Sequence, residues 1–247
     1  MTPLRRAQVL VAAGALLPAI VLGLIALVLG PIVAVVVFVV VATVTATWLW
    51  GAGERQVLAS LGGRPASASS DARLLNLIDG LCTTAGLRQP RVMVTPHSGL
   101  NLLVAGRSAD DAVLAVTTGL VDNLSRIELE GVLADGLVQI RRGDIIPVTV
   151  AVATFGLGAR WAAGAGDHDT DVDGAGVALT RYPPALVSAF ETMDRLGTAL
   201  PDVPSSVAGM WLADPRPPAG PGSGRGGGTP SPRRPALAER VSALREL

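Results

Sequence analysis

Between Ala7 and Gly53 the chain carries no charged residue for 47 consecutive positions, and this run constrains everything else. A cleavable signal peptide has an apolar core of about 7 to 15 residues, so a run this long reads as one that stays in the bilayer. Gly30-Pro31 divides it into Ala7–Leu29 and Ile32–Trp50, 23 and 19 residues long. At about 1.5 Å per helical residue each stretch can cross a hydrocarbon core about 30 Å thick. The expectation is a hairpin of two spans over residues 1–53. Arg5 and Arg6 precede the run and Arg55, Arg64 and Arg73 follow it, so the positive-inside bias places both ends of the hairpin and all that follows in the cytoplasm. Trp48 and Trp50 then fall at the membrane–water interface.

Basic and acidic residues balance at 20 each. No global field is available to recruit nucleic acid, whose binding is dominated by that term, and a nucleic-acid partner is excluded on this ground. All the basic residues are Arg, alongside heavy use of Ala, Gly, Val and Pro, the composition of a GC-rich bacterial genome, which points to a bacterial inner membrane. The single cysteine, Cys82, has no partner for an intramolecular disulfide, a zinc site or a redox pair. It lies among Leu77, Ile78 and Leu81 and reads as a buried thiol.

Residues 54–70 read as a linker, with Gly62 to Ser70 (GGRPASASS) at its end. A domain over 71–213 follows. Asp71 to Leu87 has helical apolar spacing with Ser70 as its N-cap, and Arg91–Thr95, Leu102–Ala105 and Ala112–Thr117 are strands bounded by Pro, Gly, Asn or Asp. A helix begins at Ser125, with Glu128 placed to complete a capping box. It carries Leu129, Val132, Leu133, Leu137 and Ile140 on one face and stops near Gly143, where Arg141 and Arg142 favour the negative end of the dipole. Ile145 to Ala159 is uncharged but, at 15 residues, spans only about 22 Å as a helix. It reads as interfacial, re-entrant or buried. Tyr182–Leu200 is again helical. Asp214 to Pro235 is almost wholly Pro, Gly, Ser and Arg and reads as a disordered loop, after which 236–247 form a short amphipathic helix docked on the domain. The fold class is α+β, mainly helical with a small sheet.

Several segments, taken in order, resemble the HtpX-like and CAAX-prenyl-protease family of membrane zinc metalloendopeptidases. Asn101-Leu-Leu-Val-Ala-Gly106 is similar to the family's Asn-Ala-Phe-x-x-Gly strand, and Ala115-Val-Thr-Thr-Gly-Leu120 to its A-V-T-x-G-L segment. Leu129-Glu-Gly-Val-Leu-Ala134 resembles the lead-in to the zinc helix. Asp144 matches the Asp after that helix, and Pro235 to Leu244 the closing H-P-P-L-x-x-R-I-x-x-L. The resemblance implies a zincin domain of gluzincin type, with Asn101 at a position like that of the substrate-binding strand.

The family's next residues read H-E-x-x-H, in which two His one turn apart bind zinc and the Glu is the general base. Here they read Asp135-Gly136-Leu137-Val138-Gln139. Gln139 offers only a neutral amide, Gly136 leaves the position of the base without a side chain, and the third ligand position falls on Asp169, with Asp173 following. The two His, His97 and His168, lie 71 positions apart, so no H-x-x-x-H pair exists in any register. General-base catalysis alone contributes about 100- to 10,000-fold, and loss of zinc removes water activation as well. The expectation is therefore a pseudo-peptidase with vestigial positions Asp135, Gly136, Gln139 and Asp169. The family's zinc is lost, and the protein binds a membrane protein or peptide through the strand edge near Asn101 and the groove beside Asp135. Two alternatives stay open: an active metalloendopeptidase using Asp135, Asp169 and a further ligand, and a structural membrane protein. Asp169, Asp171, Asp173 and Gly174 also reproduce positions 1, 3, 5 and 6 of a calcium loop, but position 12 is Thr180, so the run reads as a solvated acidic turn.

Overall fold

A computed structural model describes residues 2–154, 168–216 and 236–246, with side chains in the second stretch from residue 172 onward. Thr2 caps the first helix, α1 (Pro3–Ala26), by accepting from the Arg5 amide, and Pro3 supplies the preset φ of a first turn. A 3-10 turn at Leu27–Leu29 leads to Gly30, whose φ of +120° reverses the chain, and Pro31 starts α2 (Pro31–Leu61). Both helices are long and apolar enough to cross a membrane. They meet along small residues: Ala7, Ala15, Ala19, Gly23 and Ala34 are buried, and a Cβ at Gly23 would lie 3.3 Å from that of Phe38. The larger apolar side chains face outward, with Leu17, Val28 and Ile32 exposed by 72%, 89% and 80%. That is the distribution expected where lipid is the solvent. Trp48 is exposed and Trp50 half-buried.

The linker expected over 54–70 is not one. Helix α2 continues unbroken to Leu61 because Val57 and Leu61 are fully buried against the sheet and Glu54 is held by arginines of the domain. Residues 64–65 then form β1 (Arg64–Pro65) of a four-stranded sheet with β2 (Arg91–Thr95), β3 (Leu102–Gly106) and β4 (Ala112–Thr117), in the order β1-β2-β4-β3. The β2–β4 pair is parallel and the other two are antiparallel. Helix α3 (Ala72–Ala85) starts at Asp71 rather than from a Ser70 side-chain cap, because the Asp71 carboxylate and Ser70 hydroxyl bind each other, Ser67 and Arg64.

After α4 (Thr118–Asn123), α5 (Arg126–Arg142) crosses the face of the sheet formed by Leu102, Val104, Leu114 and Val116. The opposite face, Leu103, Ala105 and Ala115, packs on Val57, Leu61, Met210 and Trp211. Helix α6 (Ile145–Val152) is buried between the hairpin and β3, so of the three readings for this stretch the buried one holds as far as Val152; residues 155–159 lie outside the described part. Gly53 of α2 is required there, since a Cβ would sit 2.0 Å from the Thr149 carbonyl oxygen. Thr149 Oγ1 in turn accepts from the Gly106 amide at 3.0 Å. The remaining elements are α7 (His168–Thr180), α8 (Pro183–Leu196), α9 (Ser205–Ala208) and α10 (Leu237–Leu244). The last of these docks on α7 and α8. Pro215, at the start of the loop expected over 214–235, accepts from the Leu200 amide; residues 217–235 lie outside the described part.

Candidate functional site

Ser125 and Glu128 form the expected capping box, with Ser125 Oγ accepting from the Glu128 amide and Glu128 Oε2 accepting from the Ser125 amide at 2.9 Å. Glu128 does more than cap. Its Oε1 accepts from Ser188 and Thr192 hydroxyls of α8 at 2.6 and 3.1 Å. Burial pushes the Glu128 carboxyl upward, but the hydrogen bonds from Ser188, Ser125 and Thr192 together hold it below its ordinary value. Gly143, at φ +74°, closes the helix.

Ten consecutive residues of α5, Gly131 to Ile140, are buried, so the helix is central rather than amphipathic and its polar residues must find partners inside the protein. Asp135 and Gln139, one turn apart, face each other: Gln139 Nε2 donates to Asp135 Oδ2 at 2.9 Å. Helix α7 comes close enough that a Cβ on Gly176 would lie 3.2 Å from the Asp135 backbone. From α10, the Arg240 guanidinium enters the same space. Its Nε and Nη2 donate to the two carboxylate oxygens of Asp173 at 2.8 and 2.5 Å, its Nη1 donates to the Leu212 carbonyl at 2.9 Å, and Nη2 stands 3.9 Å from Asp135 Oδ1. The guanidinium also lies over the Phe190 ring, 4.3 Å from its centroid. Asp135, Asp173 and Arg240 are each at most 1% exposed.

At Gly136 a side chain would press on β3 side chains, which would have to give by a few tenths of an ångström. A Cβ there would meet Leu102 Cδ2 at 3.0 Å and Val104 Cγ1 at 3.4 Å. The described residues of the site therefore do not fit zinc. The helix carries no imidazole, the Gln139 amide nitrogen is bonded to Asp135, and both buried carboxylates face a guanidinium. Among the described residues no three His, Cys, Asp or Glu side chains are grouped to hold a metal.

Asp169 belongs to the first turn of α7, four residues before Asp173, and its side chain, like that of His168, lies outside the described residues. The acidic run is helical, not a turn, which rules out the loop geometry of a calcium site and buries Asp173 to 1% exposure. His97 is the turn residue expected, its carbonyl oxygen accepting from Gly119 N and Thr118 Oγ1.

Asn101 corrects the expectation of an open strand edge. It is fully buried, and its amide clasps another part of this chain: Nδ2 donates to the Ala213 and Thr198 carbonyls at 2.9 and 3.2 Å, and Oδ1 accepts from the Ala213 amide at 3.1 Å. Beside it, Trp211 bridges Leu103 in antiparallel fashion and the Leu212 amide donates to the Leu102 carbonyl at 2.7 Å. The sequence reading missed Arg240 as the centre of this cluster. The available signal was a charge sharing the α10 face of Leu237, Val241 and Leu244, where an Arg is rarely buried without a partner.

No family model matches the chain. Curated relatives do. A protease HtpX homologue of Acidiphilium cryptum is 40% identical over 103 residues, 42% of this chain and 36% of the relative. One of Gemmatimonas aurantiaca is 31% identical over 179 residues, 66% of this chain and 64% of the relative. One of Pyrococcus furiosus is 35% identical over 127 residues, 49% and 44% of the two chains. The chain thus spans between about a third and two thirds of these relatives' length. The chain is thus similar to protease HtpX homologues over the stretches they share, and at 135–139, where the sequence resemblance places His-Glu-x-x-His, it reads Asp-Gly-Leu-Val-Gln.

Proposed function

We propose that this protein is a catalytically inactive, membrane-anchored relative of the HtpX proteases that acts by binding a membrane protein or peptide. In this reading the hairpin sits in a bacterial inner membrane with the α+β domain on its cytoplasmic side, as the arginines flanking the hairpin favour. The observation that carries it is the Asp135–Gln139–Arg240–Asp173 cluster. A permanent organic cation stands among the carboxylates of α5 and α7, and the position that the resemblance assigns to the base is Gly136, with no side chain. The general base and the activated water that supply the family's rate have no counterpart in these residues.

The names of the relatives favour the second reading, an active membrane metalloendopeptidase with a non-standard site. Purified full-length protein, incubated with an unfolded protein substrate with added zinc or with chelator, separates the two. The proposal expects no chelator-sensitive cleavage, and cleavage that zinc supports and chelator abolishes overturns it. Recovery of a membrane protein or peptide by crosslinking in the native membrane separates a binding role from a purely structural one.

A further inference from the structure

An extended peptide can join a sheet through the outward amides and carbonyls of an edge strand, and β3 is the last strand in the order of this sheet. Its outer edge is met at both ends by the same chain. At the first end the Leu212 amide donates to the Leu102 carbonyl at 2.7 Å, and at the other Thr149 Oγ1 takes the Gly106 amide at 3.0 Å. The segment around Leu212 is itself pinned. The Asn101 side-chain amide grips both backbone polar groups of Ala213, and Arg240 Nη1 holds the Leu212 carbonyl at 2.9 Å. Trp211, Leu212 and Ala213 are 2%, 1% and 5% exposed.

We infer that residues 211–213 are an internal strand ligand: they occupy the β3 edge as a bound peptide would and hold it closed, with Asn101 and Arg240 as the latches. The inference rests on the binding role proposed above and specifies its regulation. A partner that uses extended backbone must first release this segment. A tethered strand competes at an effective concentration in the millimolar range, so free peptide at lower concentration finds the edge shut. Arg240 joins the closure to the former zinc helix, since the same guanidinium that holds Leu212 also holds Asp173 and stands beside Asp135.

The test uses the full chain in detergent and a fluorescent synthetic peptide copying residues 208–215, with binding read by anisotropy. Leu212→Pro removes the donor to Leu102 and cannot pair there. The inference expects Leu212→Pro to bind the peptide at least tenfold more tightly than wild type. Equal affinities for the two proteins, or no binding by a folded Leu212→Pro, overturn it. If Leu212→Pro does not fold, hydrogen exchange on the wild type decides: Leu212 is expected to exchange as slowly as Leu114 in the interior strand, and exchange at the rate of a solvent-exposed amide overturns the closure. Cleavage of the peptide that chelator abolishes would sink the non-catalytic reading, while the ratio of affinities alone decides whether the edge is closed.

Discussion

Replacing Arg240 with Met removes the guanidinium while keeping much of the side-chain volume. The structure then leaves Asp173, at 1% exposure, without its forked partner, deprives the Leu212 carbonyl of a donor, and takes the cation away from Phe190. Breaking a buried pair by deleting one member costs about 3–5 kcal/mol because the remaining charge stays desolvated. For a chain of this size each kcal/mol lowers the midpoint of thermal unfolding by about 2–4 °C, so Arg240→Met is expected to fall by about 6–20 °C in unfolding followed by circular dichroism. The control is Asp173→Leu/Arg240→Met. Replacing a buried ion pair by apolar groups is often neutral or stabilising, so the double variant should regain most of the loss. If Arg240→Met alone unfolds within 2 °C of wild type, or the double variant is as unstable as the sum of the two singles, the cluster is not the interlocked unit described above.

The remaining expectations concern other parts of the structure. Glu128→Gln loses the charged acceptor of Ser188, Thr192 and the capping box, at an expected cost of about 1–2 kcal/mol at neutral pH. Because the folded carboxyl lies below its ordinary value, its stabilisation is fully present above the unfolded value of about 4.3 and fades as the pH falls through the folded one. Unfolding midpoints measured from pH 7 downward should therefore converge for wild type and variant in acid. Gly53→Ala drives a methyl into the Thr149 carbonyl, 2.0 Å away in the unrelaxed backbone. It should cost at least about 1–3 kcal/mol in thermal unfolding, whereas Gly80→Ala, where no atom lies within 4 Å, should not destabilise. Burial, reinforced by Asp79, pushes the Cys82 thiol up to about 11, so iodoacetamide at pH 8 should label it quickly only after denaturation; equal rates in folded and unfolded protein would contradict the packing of α3.

Local signals in the sequence were sufficient where local chemistry decides the outcome. Ser125, Glu128 and Gly143 mark the ends of α5 because a capping box and a left-handed C-cap are short-range devices. Arg91–Thr95 and Ala112–Thr117 are strands with the bounds expected from β-branched runs between turn residues. The uncharged run located the hairpin. What could not be read depends on residues far apart in the chain. Glu54 ends the uncharged run and looks like the start of a linker, yet Arg91 and Arg107 reach it from β2 and from the residue after β3 and keep α2 helical to Leu61. Trp211–Ala213 is too short to show a strand pattern, and only the Asn101 clasp, 112 positions away, reveals its place. The departure from His-Glu-x-x-His was legible from Asp135, Gly136 and Gln139. That an arginine from α10 had entered the same space was not, because an amphipathic pattern records which face is apolar and not what a charge on that face will meet.

The central claim, that a guanidinium stands among the carboxylates where the resemblance places a metal and that the position of the base is a glycine, is tested most directly by elemental analysis of the protein purified without chelator. The account predicts zinc well below one equivalent per chain even after incubation with excess zinc followed by gel filtration. One tightly held equivalent, removed by chelator and regained on adding zinc back, would contradict it.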